Sequence, residues 1–339
     1  MHRFFGSLPV SLGSPSKLHC ANRDREIMNN IAPTWRIALI GECMIELQQH
    51  SNGSLLQSYG GDTLNTAVYL AREMGGNATV DYVTALGDDS FSTAMCKSWQ
   101  EEGIGLSMTQ RFPGRLPGLY CIQTDEKGER RFLYWRNEAA VRNCFDEPTS
   151  APILAALSGY DVLYFSGITL AVLGESGRKK LIAMLKEAQL KGALVAFDNN
   201  YRSRLWSSPE EARKAYRETL PYVGLALLTF EDEKELFHHR DIAAVFAACQ
   251  EFGISEVVIK RGAESCVIKL KDQSFEVPAK KIDRIVDTTA AGDSFSAAYI
   301  ACRLKGGDPA LAALSGHSLA SQVIQVPGAL IPRERETQP

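Results

Sequence analysis

From Trp35 onward, short apolar runs alternate with longer amphipathic stretches. Residues 37–41 are continuously apolar and end in glycine, the pattern of a parallel strand buried on both faces. Residues 63–74 follow helical spacing, with Asp62 or Thr63 as the cap. Residues 80–86 read as a strand, and 90–102 as a helix stopped by Gly103. The rhythm resumes with a strand over 162–166 and a helix over 178–190 that Gly192 ends. A strand over 194–198 precedes a helix over 209–220 that opens on proline. Segments 225–229, 242–252 and 257–260 continue as strand, helix and strand. This series predicts a doubly wound α/β fold, a mainly parallel sheet with helices on both faces. Right-handed crossovers then place functional residues at the carboxyl ends of the strands. No internal repeat is evident.

Two segments break the alternation. Residues 42–59 hold Met44-Ile45-Glu46-Leu47, a polar turn at His50-Ser51-Asn52-Gly53, and Leu55-Leu56, which reads as a hairpin. Residues 119–125 and 131–136 flank a turn at Asp125-Glu126-Lys127-Gly128 and read as a second hairpin. No helices lie between these strands to cover their faces. The expectation is a small antiparallel sheet, formed by about 42–59 and 116–137, that covers a substrate site as a lid or pairs with a second subunit. A simple edge extension of the main sheet is the alternative. Residues 1–34 show no sustained period and carry several serines and prolines. They read as an N-terminal extension, with Met28 as an alternative start. A targeting segment is the other reading, although no apolar stretch suits a secretory signal. A single large domain then spans 35–333, and a polar tail covers 334–339.

Composition narrows the class. The 339 residues are 45% hydrophobic and 23% charged, enough for a substantial core. A net charge of −3, with no dense Lys/Arg block, argues against a nucleic-acid binder. No apolar run is long enough to predict a membrane span. The eight cysteines are scattered and form no C-x-x-C pair, which disfavours a zinc site or disulfide framework and fits a reducing cytoplasm. His238-His239 sits in a charged stretch and reads as a solvated turn.

Chemistry concentrates in Asp287-Thr288-Thr289-Ala290-Ala291-Gly292-Asp293-Ser294-Phe295. Small residues let the backbone approach a ligand closely, and a helical pattern follows at once. The leading N–H groups of a helix have no partner inside it, so such a turn suits a phosphate. Asp293 would be repelled by that phosphate, and its best use is to take a proton from an attacking hydroxyl. An ordinary helix cap would also account for Asp and Thr here. A second glycine-rich stretch, Gly60-Gly61-Asp62-Thr63-Leu64-Asn65, follows the first hairpin and opens a helix. Its glycines let the backbone lie against a ligand, and Asp62 and Asn65 can hold hydroxyls. Alone it is a weak signal, since Gly-Gly-Asp is a common turn.

Together the two stretches resemble the signatures of the ribokinase-like, or PfkB, family of carbohydrate kinases, over nearly the whole chain from Trp35 to Arg333. Gly41-Glu42-Cys43-Met44-Ile45-Glu46-Leu47, Leu116-Pro117-Gly118-Leu119-Tyr120, Tyr134-Trp135-Arg136-Asn137-Glu138 and Asp198-Asn199-Asn200-Tyr201-Arg202 look like the bacterial 2-keto-3-deoxygluconate kinases within it. The resemblance implies transfer of the ATP γ-phosphoryl group to the 6-hydroxyl of 2-dehydro-3-deoxy-D-gluconate, with Mg2+ and, in some relatives, a monovalent cation such as K+. It implies Asp293 as base, with Ala290, Ala291 and Gly292 donating N–H groups to the transferring phosphoryl. Gly60, Gly61, Asp62, Asn65, Tyr120, Tyr134, Arg136 and Arg202 match positions around the substrate. An arginine suits its carboxylate, which it can grip with two parallel hydrogen bonds. Asn200, Arg202, Thr229, Glu231, Lys260, Arg261 and Gly262 border the nucleotide, with Ala290 and Gly292. Asp287 is expected near a metal or monovalent-cation loop. His317 and Ser321 flank the adenine or sit on plain helix surface. A homodimer through the β lid is expected.

Many relatives carry an Asn-x-x-Glu motif that organises Mg2+ through water. The matching stretch here is Thr229-Phe230-Glu231-Asp232, and Thr cannot replace the Asn amide. Asp232 or Glu233 could still help through water, since Mg2+ keeps several waters. Two rivals stay open: a kinase for another sugar such as fructose or ribose, and a non-catalytic sugar-binding relative. A dinucleotide oxidoreductase would need a G-x-G-x-x-G turn after the first strand, where Glu42-Cys43-Met44 follows Gly41 instead.

Overall fold

The computed structural model describes residues 34–49, 52–124, 130–146 and 150–333. The N-terminal extension through residue 33, the tail and the tip of the second hairpin lie outside these residues. The strands are β1 (Trp35–Ile40), β2 (Met44–Gln49), β3 (Leu55–Gly60), β4 (Ala78–Leu86), β5 (Ile104–Gly105), β6 (Thr109–Arg111), β7 (Leu119–Thr124), β8 (Arg130–Trp135), β9 (Val162–Ser166), β10 (Leu194–Asp198), β11 (Leu225–Thr229), β12 (Glu256–Lys260), β13 (Cys266–Leu270) and β14 (Gln273–Val277). The helices are α1 (Asp62–Met74), α2 (Ser90–Glu101), α3 (Ser150–Leu157), α4 (Gly167–Val172), α5 (Gly174–Leu190), α6 (Pro209–Thr219), α7 (Phe230–Phe237), α8 (Ile242–Glu251), α9 (Ala291–Leu304) and α10 (Pro309–Val323).

The main sheet runs in the order β14-β13-β12-β11-β10-β9-β1-β4-β5. Pairing is parallel from β12 to β5 and antiparallel at the β12-β13-β14 edge. The parallel strands bury both faces, so successive side chains enter different cores. Ala38, Ile40, Leu163, Phe165, Val195 and Phe197 belong to one apolar cluster, packed with α4–α6. Ile37, Leu39, Val162, Tyr164 and Ala196 belong to the other, packed with α1, α2, α9 and α10. This is the doubly wound arrangement expected from the alternation. The β13–β14 hairpin and the short α4 were not anticipated.

The two hairpins form a separate four-stranded sheet, β3-β2-β7-β8. It is not an edge extension of the main sheet. Each hairpin is antiparallel, and β2 and β7 join them in parallel register. Met44, Tyr120 and Ile122 make a small apolar cluster of its own. Leu55, Leu56, Phe132 and Trp135 stay exposed on it.

Candidate active site

The carboxyl ends of β1, β10, β11 and β12 and the first turns of α1 and α9 converge on one site, as a doubly wound fold dictates. Ala290 precedes α9 in the left-handed conformation (φ 60°, ψ 13°) and brings no side-chain cap. The ordinary-cap reading therefore does not hold for α9. Asp287 instead accepts from the Thr289 N–H at 3.0 Å and the Thr289 hydroxyl at 2.7 Å. The Ser294 N–H closes the first helical bond onto Ala290 O at 2.9 Å. The leading donors of α9, from Ala291 to Asp293, thus come from a turn whose side chains leave them for a ligand, apart from a 3.3 Å contact of the Ala291 N–H with Thr288 O.

Asp293 lies in that first turn, and its Oδ2 accepts from Asn65 Nδ2 at 2.9 Å, which joins the two glycine-rich stretches read from the sequence. Asp62, at the start of α1, accepts from Asn200 Nδ2 at 2.7 Å. Asn200 reaches it from a left-handed backbone (φ 28°), a conformation Asn tolerates. Asp198 ends β10 and takes the Lys260 ammonium at 2.6 Å and the Ser296 hydroxyl at 3.1 Å. Withdrawal from water and the charges of Asp62 and Asp198 push the Asp293 carboxyl up to about 8, against the pull of the Asn65 bond and Lys260. Burial raises the Asp62 carboxyl too. Burial first, and the neighbouring carboxylates second, make Asp293 a better base than a solvated aspartate, because its ionised form is the disfavoured one.

On the nucleotide side the structure sorts the expected residues. Lys260 faces the cluster beneath Gly292, where a Cβ would stand 3.6 Å from its ammonium. Arg261 is drawn into the β13–β14 hairpin, donating to Ser265 O and Glu276 Oε1, each at 2.7 Å. Gly262 follows with φ 60°, where its lack of a Cβ is needed. Thr229 trades backbone bonds with the Asn199 amide at 2.9 and 3.0 Å. Glu231 is exposed and faces Lys234 at 3.4 Å, at the start of α7 rather than at the end of β11. Successive helical residues point about 100° apart, and the phase of α7 turns Asp232 and Glu233 inward instead. Asp232 Oδ2 accepts from the Tyr201 N–H at 3.1 Å and Oδ1 stands 3.8 Å from Arg202. Burial raises the Asp232 carboxyl to about 6, although Arg202 opposes it. Asp287 is buried, and its second oxygen takes the Gly328 N–H at 3.1 Å. Among the described residues, no group of three His, Cys, Asp or Glu side chains is placed to hold a metal. His317 contacts Val277 O at 3.2 Å and Phe295 edge-on, and the Ser321 hydroxyl turns to Ser318 O at 2.7 Å.

The residues expected around a sugar lie on and beside the small sheet. Gly60 ends β3, and Gly61 passes so close to the connection between β1 and β2 that a Cβ there would overlap the Glu42 carbonyl oxygen. Tyr120 donates to Glu46, whose other oxygen takes the Ser58 hydroxyl at 2.8 Å. Tyr134 is 48% exposed and lies beside Tyr120, with ring centroids 5.8 Å apart. Arg136 is buried, pairs with the buried Glu42, and lies 5.9 Å from the Tyr134 ring.

Sequence reasoning missed the roles of Asn199, Glu42 and Glu46. Asn199 follows a strand end, where a doubly wound sheet collects its functional groups, so its position was a usable signal. Glu42 follows β1 in the same way. Nothing local marked Glu46.

The pfkB family carbohydrate kinase profile matches residues 35–336. The chain is 49% identical to the 2-dehydro-3-deoxygluconokinase of Escherichia coli strain K12 over 303 residues, covering 88% of this chain and 98% of that protein. It is 48% identical to the 2-dehydro-3-deoxygluconokinase of Dickeya dadantii strain 3937 over 305 residues, covering 89% of this chain and 98% of that one. The crystal structure of 2-dehydro-3-deoxygluconokinase from Thermotoga maritima superposes with a TM-score of 0.76 at 25% identity, covering 88% of this chain and 95% of that one. Those matches, together with an uncapped helix start over a hindered aspartate, place the chain in the pfkB family of carbohydrate kinases.

Proposed function

We propose that the protein transfers the γ-phosphoryl group of ATP to the 6-hydroxyl of 2-dehydro-3-deoxy-D-gluconate, giving ADP and 2-dehydro-3-deoxy-6-phosphogluconate. The observation that carries this reading is the pairing of Asp293, held by Asn65 at the mouth of α9, with Arg136 on the small sheet. One group can take a proton from a hydroxyl, and the other can meet a carboxylate. Asp293 removes the proton of the attacking hydroxyl as the bond to phosphorus forms. The leading N–H groups at Ala291 and Gly292 meet the charge on the transferring phosphoryl, and Lys260 adds a cation beneath them. Gly60 and Gly61 let the sugar lie against the backbone, while Asp62 and Asn65 hold its hydroxyls. Tyr120, Tyr134, Arg136 and Arg202 surround the acid end.

The donor set fits Mg2+ bound mainly through water, with Asp232 as the inward carboxylate, and does not fit a cage of direct protein ligands. When bound, Mg2+ neutralises phosphate charge. We assign the loop that Asp287 ties to Gly328 to a monovalent cation such as K+, and Asn200, Thr229 and Arg261 to the nucleotide border. The exposed apolar residues of the small sheet support a homodimer formed through it. The free thiols among the described cysteines suit the cytoplasm. No helix among the described residues is long and apolar enough to cross a membrane.

The test is an ATP-coupled assay across keto-deoxy sugar acids and neutral sugars. The reading expects the highest kcat/KM on 2-dehydro-3-deoxygluconate. A higher value on fructose or ribose would overturn it.

A further inference from the structure

The Glu42–Arg136 pair has a geometry that stability alone does not explain. Both side chains are buried, at 2% and 9% exposure, and they meet through one guanidinium nitrogen and one carboxylate oxygen. The other oxygen, Glu42 Oε1, is buried with no hydrogen-bond partner. Among the described residues, Glu42 is the protein acceptor that the Arg136 guanidinium meets. An arginine and a carboxylate placed to stabilise a fold pair through two parallel bonds, which satisfies both oxygens. An orphaned buried oxygen has a cost and calls for a reason. Here the one-armed contact keeps the remaining edge of the guanidinium out of the protein's own bonding.

The surroundings hold that geometry in place. Glu42 stands two residues beyond the end of β1 of the main sheet, after Gly41, and Arg136 directly follows β8 of the small sheet. Gly118 packs between them: a Cβ there would stand 2.7 Å from Glu42 Oε1 and 3.2 Å from Arg136 Cβ. Gly61, at the sugar site, presses on the Glu42 backbone from the other side.

We propose that Glu42 is a positioning residue: its single bond aims the free edge of Arg136 at the substrate's carboxylate and docks the small sheet on the main one in the register that binding needs. This rests on the assignment of the substrate as a sugar acid. Glu42 touches no reacting atom, so its effect falls on acid recognition rather than on phosphoryl transfer.

The experiment is steady-state kinetics of the full-length protein with Glu42→Gln, which keeps the shape and one acceptor but removes the charge that orients the guanidinium. The expected result is a rise of at least 10-fold in KM for 2-dehydro-3-deoxygluconate, with kcat and the KM for ATP each within about threefold of the parent. Gly118→Ala, which disturbs the pair sterically without changing charge, should shift the same KM in the same direction. In an Arg136→Ala background, Glu42→Gln should add nothing further to KM. An unchanged KM for the sugar acid, an equal rise in the KM for ATP, or an undiminished penalty in the Arg136→Ala background would each overturn the proposal. Failure of the underlying assignment is distinguishable, because the parent enzyme itself would then prefer a neutral sugar.

Discussion

Asp293 and Arg136 are held in opposite ways. Around Asp293 the protein supplies a network: Asn65, Asn200, Lys260 and Ser296 come from four separate segments and bond a group of mutually repelling carboxylates. Around Arg136 it supplies a single counter-ion and an exposed tyrosine, on a sheet with its own small apolar cluster. The first region is organised before any ligand arrives, as stabilising charge in a transition state requires. The second leaves Glu42 Oε1 without a partner, and on the proposed reading the free edge of Arg136 is completed by the carboxylate of a sugar acid. On that reading the chemical step belongs to the doubly wound core, and the choice of acceptor belongs to a lighter element.

The sharpest way to break this contrast is Asp293→Asn. Turnover should fall by about 10²–10⁴-fold, the range for loss of a general base, while substrate binding measured by calorimetry survives. Retention of near-normal turnover would end the assignment. Next in size, Arg136→Ala should lower kcat/KM for the sugar acid by about 10–100-fold, the scale of a charge-assisted hydrogen bond. It should also lower the melting temperature, because Glu42 is left buried without its cation, a situation that costs about 3–5 kcal/mol. A variant that kept both would show that the acid end lies elsewhere.

The pH dependence separates the regions further. Asp293 must be ionised to act, and its carboxyl is raised to about 8, so kcat/KM should climb as pH rises toward 8 and then level. Stability runs the other way. The folded state holds that proton more tightly than the unfolded chain, so between the ordinary carboxylate range and about pH 8 the contribution of Asp293 to stability falls as pH rises. Asp293→Asn should therefore raise the melting temperature measured at pH 8, even as it lowers the rate. A lower melting temperature would mean that Asp293 serves the fold. The smallest effect belongs to Glu231→Gln. An exposed carboxylate facing Lys234 should leave the KM for ATP within about twofold, whereas Asp232→Asn should raise it.

Much of the fold was legible because buried parallel strands are read as uninterrupted apolar runs. The strands Val162–Ser166, Leu194–Asp198 and Leu225–Thr229 match the expected segments residue for residue. The β13–β14 hairpin was less legible, because its outer strand, Gln273–Val277, is mostly exposed and lacks that signature. Gly167–Val172 was hidden by an apolar composition shared with the strand before it. In the site, residues inside the two glycine-rich stretches were found because their chemistry is local. Glu42 and Lys260 acquire their partners across 94 and 62 residues of sequence, a relation that no local pattern carries. Glu231, Asp232 and Glu233 offer one composition and three directions, and only the phase of α7 decides which of them is buried.

Ala290 has one further consequence. Glycine would let the turn before α9 wander over both halves of backbone space at little cost. Alanine in the left-handed basin carries roughly 1 kcal/mol of strain, and the main alternative open to it is right-handed. Moving there would extend α9 backwards and redirect its leading N–H groups. The turn is therefore more restricted than a glycine turn, and the surrounding structure has to hold it against its strain.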